Sequence, residues 1–384
     1  MTREPIWKLA GFYFFYFALV GGISPYFPVY LEYVGFDALE VGQLMSILML
    51  TRILAPNLWG WIADATGKRL LMIRMGSACA TFFFAGLLLI QGFWWHALLM
   101  TLFSCFWNAV LPQFEVVTLH NLGDERARYS SVRLWGSIGF VVSVTSFGAL
   151  FNLYSVALLP WLLLALLVGI FLSACIIRGD TGKVESAGFA GFLGLLRNRS
   201  ILLFFFIACL GQISFGPFYT FFSIYLKSLG YDMTMIGLFW SVGVVAEILL
   251  FSAMHRLLGR YSLYVIVVSC LLLTALRWSG VALLAEHWWV LVLTQALHAA
   301  SFGGLHAAAI EFVHRAFPKE YAGQGQAMYS AVSFGVGGAI GANVSGAIYD
   351  PLGATFTFLA AAGVCLLSAI ILILKRRNLG PLWN

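Results

Sequence analysis

Two acids, two guanidinium groups and a histidine occupy positions where the surrounding chain is otherwise apolar. Glu247, Arg277 and His298 lie near the middle of successive hydrophobic stretches, and Glu115 and Arg133 flank the connection between two earlier ones, in 384 residues that are 61% hydrophobic and only 10% charged. An ionised side chain at bilayer depth costs at least a few kcal/mol, so a membrane chain that keeps one uses it. The chemistry open to this set is the binding of a charged solute and the carriage of a proton. A guanidinium holds a carboxylate in a planar two-point grip, a buried acid exchanges a proton, and an imidazole does so near neutral pH. The alternative for Glu247 and Arg277 is a buried ion pair that only locks two helices together. For Glu115 and Arg133 it is an interfacial position, because Asp124, Glu125, Arg126 and Arg128 share their connection.

The elements that must position these groups are membrane helices. Apolar runs of about 20 residues, the length a helix needs to cross a hydrocarbon core, recur over residues 6–30, 38–63, 70–91, 94–118, 132–153, 155–177, 200–227, 235–254, 261–284, 288–312, 322–348 and 353–374. Counted from the outer ends at 1.5 Å per residue, Glu247 lies roughly 18 Å deep, Arg277 roughly 11 Å and His298 roughly 15 Å, within reach of one layer. Met1 to Lys8 is mildly basic, but the apolar run that follows is too long for a signal-peptide core and has further spans right behind it, so it is expected to remain as the first helix.

Charge placement gives an orientation. Alternate connections collect Arg3 and Lys8, then Lys68, Arg69 and Arg74, and so on to Lys375, Arg376 and Arg377, while Glu32, Asp37, Glu40, Asp232, Glu286 and Asp350 gather on the opposite side. The positive-inside rule then puts both termini in the cytoplasm of a multi-pass inner-membrane protein. The net charge of +6 is a topology signal and implies no nucleic-acid partner.

The chain also repeats. Phe27 to Leu31, Gly35-Phe36-Asp37 and Gly42 match Phe222 to Leu226, Gly230-Tyr231-Asp232 and Gly237 at a constant offset of 195 residues. Six runs lie on each side of a polar connection with linker composition, giving halves at 1–178 and 200–384 joined by a cytoplasmic linker at 179–199. Parallel repeats of this kind place a solute site near the bilayer midplane.

Catalytic signatures are missing. There is no HExxH, no GxSxG in a suitable context and no GxxxxGK[ST] phosphate loop, so an enzyme or a nucleotide-driven pump is not expected. The six cysteines are scattered singly, with neither a disulfide pattern nor a zinc site. No cofactor or metal is expected. The partners are a small-molecule solute and the lipid bilayer, and the chain is read as a monomer.

Gly60-Trp61-Ile62-Ala63-Asp64-Ala65-Thr66-Gly67-Lys68-Arg69 resembles the loop signature of the major facilitator superfamily, Gly-x-x-x-Asp-x-x-Gly-x-Arg. In that reading Gly60, Asp64, Gly67 and Arg69 serve gating. The second half carries only a degraded copy, with Arg256 where the Asp would stand. The segments Ser131 to Ser137, Ser241 to Glu247, Leu276-Arg277-Trp278 and Gln295 to His298 resemble the phenylpropionate permease branch, a relative of lactose permease, over essentially the whole chain. The resemblance implies an all-α integral membrane fold of twelve transmembrane helices in two six-helix halves. It also implies that Asn108, Glu115, Arg133 and Phe140 bind substrate in the first half. In the second, Glu247 and His298 bind substrate and, with Arg277 and Glu115, handle the coupling proton. The pattern breaks at Ser301, where the relative has its next coupling acid, and at Gln295, where it has a Lys, so the same carboxylate cannot couple here.

The functional expectation is a secondary transporter, a proton symporter of a small organic solute working by alternating access, with an aromatic carboxylate favoured. The alternatives are a sugar or nucleoside symporter, an exporter of drugs or metabolites, or a non-transporting sensor of the same fold. Tyr13, Phe17, Tyr26, Tyr219 and Trp240 are candidates to line a site for an aromatic solute. Arg52 is read as a snorkelling or pore-facing side chain, His306 as a supporting group two turns beyond His298, and Glu311 as interfacial.

Overall fold

The computed structural model describes residues 5–178 and 189–383, all in helices and short connections with no strand among them. This is what hydrocarbon demands, since a helix satisfies its own backbone N–H and C=O groups. Among the described residues, nine helical stretches are long and apolar enough to cross a membrane. One of them, Ala322–Leu374, is 53 residues long. At 1.5 Å per residue that is about 80 Å, more than two hydrocarbon cores, and it is broken at Gly353, where φ is 81°. It contains two of the twelve sequence runs. Of the rest, 70–91 falls on a helix that stops at Gly86, and 288–312 on one interrupted by a π-helical turn at Ala299–Gly304.

The chain packs as two compact units, residues 1–185 with 232–238 and residues 186–231 with 239–384. The first contains α1 (Ile6–Tyr33), α2 (Ala38–Thr66), α3 (Arg69–Gly86), α4 (Phe93–Leu122), α5 (Tyr129–Leu153) and α6 (Leu159–Ile176). There α1 lies along α5 and α6, and α4 along α2 and α3. The second contains α7 (Phe189–Leu195), α8 (Arg199–Ile213), α9 (Gly216–Ser228), most of α10 (Met233–Arg260), α11 (Leu263–Leu284), α12 (Trp288–Ala296), α13 (Leu305–Ala316), α14 (Ala322–Ser330) and α15 (Gly338–Leu374). In it α15 packs on α8, α9 and α11.

The sequence treats 179–199 as linker. Residues 179–188 lie outside the described residues, but α7 is a short helix within that range. Its Phe192 is buried against Phe317, with the rings stacked at 5.4 Å. Burial of one aromatic face is enough to order a short amphipathic segment.

The internal repeat has a structural reason. Gly35 and Gly230 both adopt positive φ, 101° and 88°, which only glycine does without a steric penalty. Each is followed two residues later by an Asp that caps the next helix. Asp37 accepts from the Glu40 N–H at 2.8 Å while Glu40 accepts from the Asp37 N–H at 3.2 Å, a reciprocal capping box. Asp232 accepts from the Met235 N–H at 2.8 Å. Asp37→Ala should therefore lower stability by about 1 kcal/mol, read from thermal unfolding in detergent. The Met235 N–H also holds the Asp232 carboxyl below its usual value. The sign follows: its capping contribution is present above the ordinary carboxylate range and is lost as pH falls through the lowered value.

The repeat extends to helix crossings. Gly21 of α1 and Gly216 of α9 stand at the same 195-residue offset. A Cβ on Gly21 would lie 2.7 Å from the Phe140 carbonyl oxygen of α5, and one on Gly216 would collide with the backbone of Gly341 in α15. Small residues at such crossings let backbones approach closely enough for dispersion to hold the helices together in lipid.

Candidate functional site

The loop motif closes α2 as a staple. Gly67 ends the helix in the left-handed conformation, φ 70°, and Arg69, only 4% exposed, donates to both Asp64 and Gln113. Gly60 leaves room for this, since a Cβ there would lie 3.2 Å from Gln113 Nε2. The guanidinium thus ties the ends of α2 and α3 to α4, and Asp64 provides the charge that makes its burial tolerable.

In the first unit, α1, α4 and α5 bring Arg133 and Glu115 among aromatic rings. The Arg133 guanidinium carbon sits 3.8 Å from the Phe17 ring centroid and 5.7 Å from that of Tyr13, a cation over the negative face of a π-system. Gly136, one turn along α5, makes the slot: a Cβ there would lie 2.6 Å from Phe17 and 2.8 Å from Arg133 Nη1. Glu115 accepts from the Tyr129 hydroxyl at 3.3 Å, and Tyr13 donates to Thr118 at 3.3 Å. Asn108 is a bracket. Its amide donates to Leu48 O and Thr51 Oγ1, both at 2.9 Å, and its carbonyl accepts from Arg52 Nε at 3.3 Å. Its amide hydrogens tie α4 to α2, and its carbonyl steadies Arg52 of that helix, the second guanidinium of this unit's interior. Phe140 is buried, and its backbone lies against Gly21 at the α1–α5 crossing.

In the second unit, α10 carries Glu247, and His298 follows α12. Their Oε2 and Nε2 atoms are 3.7 Å apart. Two glycines permit this approach. A Cβ on Gly243 would lie 3.3 Å from His298 Cδ2, and one on Gly303 would lie 3.1 Å from Glu247 Cγ. Arg277 of α11, fully buried, turns elsewhere: Nη1 donates to Ser301 Oγ at 3.0 Å and Nη2 to Gln295 Oε1 at 3.1 Å. Its planar group lies 4.3 Å from the Phe218 ring centroid and 4.2 Å from that of Trp278. The two positions that break the lactose permease pattern, Gln295 and Ser301, are therefore the groups that solvate this cation, one on each side of His298. Depth counting had put Glu247, Arg277 and His298 in one layer. The structure sets Glu247 beside His298 and holds the Arg277 guanidinium by the neutral dipoles of Gln295 and Ser301, three residues to either side of that histidine.

Of the other candidates, Tyr219 and Trp240 stand with ring centroids 6.2 Å apart, and Trp240 donates to Ser223 at 3.1 Å. Tyr26 spends its hydroxyl on the Val144 carbonyl at 2.6 Å. Glu311 accepts from Arg315 at 2.7 Å on a partly exposed face. The residues that sequence reasoning missed are Gln113, Tyr129 and the slot glycines Gly136, Gly243 and Gly303. Among the described residues no cluster of His, Cys, Asp and Glu could hold a metal ion.

Comparison with known proteins places the chain in a family. A family model described as the MFS_1 like family matches residues 6–360. The chain is 27% identical to the maltose permease of Geobacillus stearothermophilus, covering 98% of this chain and 96% of that one. It is 28% identical to the probable 3-phenylpropionic acid transporter of Escherichia coli (strain K12), covering 90% and 92%. The crystal structure of the nucleoside transporter NupG superposes with a TM-score of 0.85 at 17% identity, covering 97% of this chain and 99% of that one. With helical membrane-spanning stretches and a family match over almost its whole length, the chain belongs to the MFS_1 like family and is a transporter of the major facilitator superfamily.

Proposed function

We propose that the protein is a proton-coupled symporter of a small organic solute, most favourably an aromatic carboxylate, working by alternating access. It would run as a monomer in the inner membrane, with twelve spans in two six-helix halves and both termini cytoplasmic. The observation that carries the coupling is the Glu247–His298 pair, a carboxylate and an imidazole 3.7 Å apart. A carboxylate so placed is stable while it holds a proton or a close partner, and solute arrival decides which. The preference for an aromatic acid rests on Arg133 lying on Phe17 beside Tyr13. Such a surface offers a guanidinium to a carboxylate and a ring edge to a phenyl group. The relative described as a probable 3-phenylpropionic acid transporter supports this choice, and the maltose permease supports a sugar as the competing substrate. In this reading Arg69 and Asp64 hold the loop that the conformational cycle must release.

In proteoliposomes with an inward proton gradient, phenylpropionate should accumulate and a protonophore should abolish its accumulation. Arg133→Gln should reduce binding of phenylpropionate while leaving the folded protein intact. Accumulation of maltose or a nucleoside instead would overturn the substrate, and accumulation that survives the protonophore would overturn the coupling.

A further inference from the structure

Of the chain's four Ser-Phe-Gly triplets, the three in the second unit, Ser214 to Gly216, Ser301 to Gly303 and Ser333 to Gly335, coincide with places where a helix departs from α geometry, while Ser146 to Gly148 lies in unbroken α5. The first is the break between α8 and α9, the second the π-helical turn Ala299–Gly304, and the third the π-helical turn Ala331–Gly337. Such turns are uncommon and concentrate at functional sites. All three contribute to the wall of one cavity, through Phe215, through Ser301 and Phe302, and through Ser333 and Phe334.

That cavity has about 40 Å³ open to the centres of water molecules. This exceeds the roughly 10–15 Å³ a cavity needs to hold water, provided polar partners are present. They are: Gln212, Ser301, His306 and Tyr329 line it. His306 Nδ1 and the Tyr329 hydroxyl are 3.3 Å apart. Trp383, 1% exposed, also lines it, and its indole Nε1, which must donate, has no protein partner.

The cavity meets the site already described at Ser301; His298 does not line it but stacks on Phe302, which does. Ser301 in its wall holds Arg277. His298, Phe302 and His306 stack in a column, with centroids 5.5 and 6.0 Å apart and planes within 7° and 11°. His298 presents Nε2 to Glu247, and its buried Nδ1 has no partner. An imidazole with one nitrogen on an acid and the other unclaimed can accept a proton on the first and release one from the second. Trp383 packs on Phe312 at 5.0 Å, on the side of the unit that carries Arg199, Arg315 and Lys375.

We propose that this cavity is a water chamber through which the Glu247–His298 pair exchanges its proton with the basic side of the membrane, His306 being the relay in its wall and Trp383 its stopper. The proposal rests on the proton-coupled reading. The step moves one proton from the Glu247 carboxyl to His298, to water and to His306, breaking and forming only O–H and N–H bonds, and needs no other reactant. His306 and Tyr329 are the titratable groups of the wall, and Arg277 faces it through Ser301.

Two measurements test it. In proteoliposomes, His306→Phe should keep counterflow of labelled phenylpropionate, which needs no net proton movement, and lose gradient-driven accumulation to the level of empty liposomes. In protein whose six native cysteines are replaced, Gly211→Cys reports access to the chamber. A Cβ at Gly211 meets only ordinary contacts at 3.9 Å, and Ser333→Cys serves if that variant does not fold. Labelling by an impermeant thiol reagent from the basic side should quicken about tenfold when Trp383→Ala is added. Full accumulation by His306→Phe, or labelling that ignores Trp383, overturns the chamber. If wild-type uptake ignores a protonophore, the coupling reading falls and the chamber's proton role with it, an outcome distinct from a coupled wild type with an indifferent His306→Phe.

Discussion

Glu247→Gln should abolish accumulation against a gradient while solute still exchanges across the membrane. The amide matches the protonated acid in shape and hydrogen-bonding ability but has no proton to give up. Its carrier therefore behaves as permanently loaded with the coupling ion, free to reorient and unable to release. Glu247 is the residue to test because His298 Nε2 stands 3.7 Å away, and because the position three residues beyond that histidine is Ser301, which already serves Arg277. Paired assays decide the matter: uptake driven by a proton gradient, and counterflow at equal pH. Normal driven uptake by Glu247→Gln, with unchanged proton dependence, would remove it as the coupling acid.

The second large effect is structural. Gly216→Leu should leave little folded protein, and Gly216→Ala should cost about 2 kcal/mol, the usual range for overpacking. The reason is backbone against backbone: any Cβ at Gly216 meets the carbonyl group of Gly341, which no rotamer change relieves. Gly21→Leu should fail in the same way at the equivalent crossing. Gly363→Ala is the control, since a Cβ there meets nothing within 4 Å. Yield of monodisperse protein on size exclusion and thermal unfolding in detergent separate the two sets. Equal behaviour of Gly216→Ala and Gly363→Ala would show that the α9–α15 crossing can spread at no cost.

Much of this was legible in the residues, and the legible part has a common character. Apolar runs reveal helices because each residue reports its own solvent. The Gly35-Phe36-Asp37 and Gly230-Tyr231-Asp232 repeat is readable because a positive φ and a helix cap are both local demands. Depth counting puts Glu247 and His298 at similar depth because helix rise is constant, and the two side chains meet. What escaped depends on a partner far away in the chain. Asn108 shows this: its side chain meets Leu48, Thr51 and Arg52, more than fifty residues away. Gly136, Gly243 and Gly303 carry no periodic signal, since each matters only for the side chain that a neighbouring element lays against it. The π-helical turns were equally hidden. Ser-Phe-Gly is unremarkable as a string, and the extra residue in the turn emerges only when helices pack against one another.

The cradle of Arg277 has an electrical consequence. The guanidinium is carried by α11, and Ser301, Gln295 and the Phe218 ring from neighbouring elements hold it in place against Trp278. Any displacement of α11 along the membrane normal therefore carries a full positive charge through part of the transmembrane field. A potential of 100 mV does about 2.3 kcal/mol of work on one charge that crosses the whole of it. Reorientation should then respond to voltage even when the charges of solute and proton cancel, and potassium diffusion potentials set with valinomycin would expose that dependence.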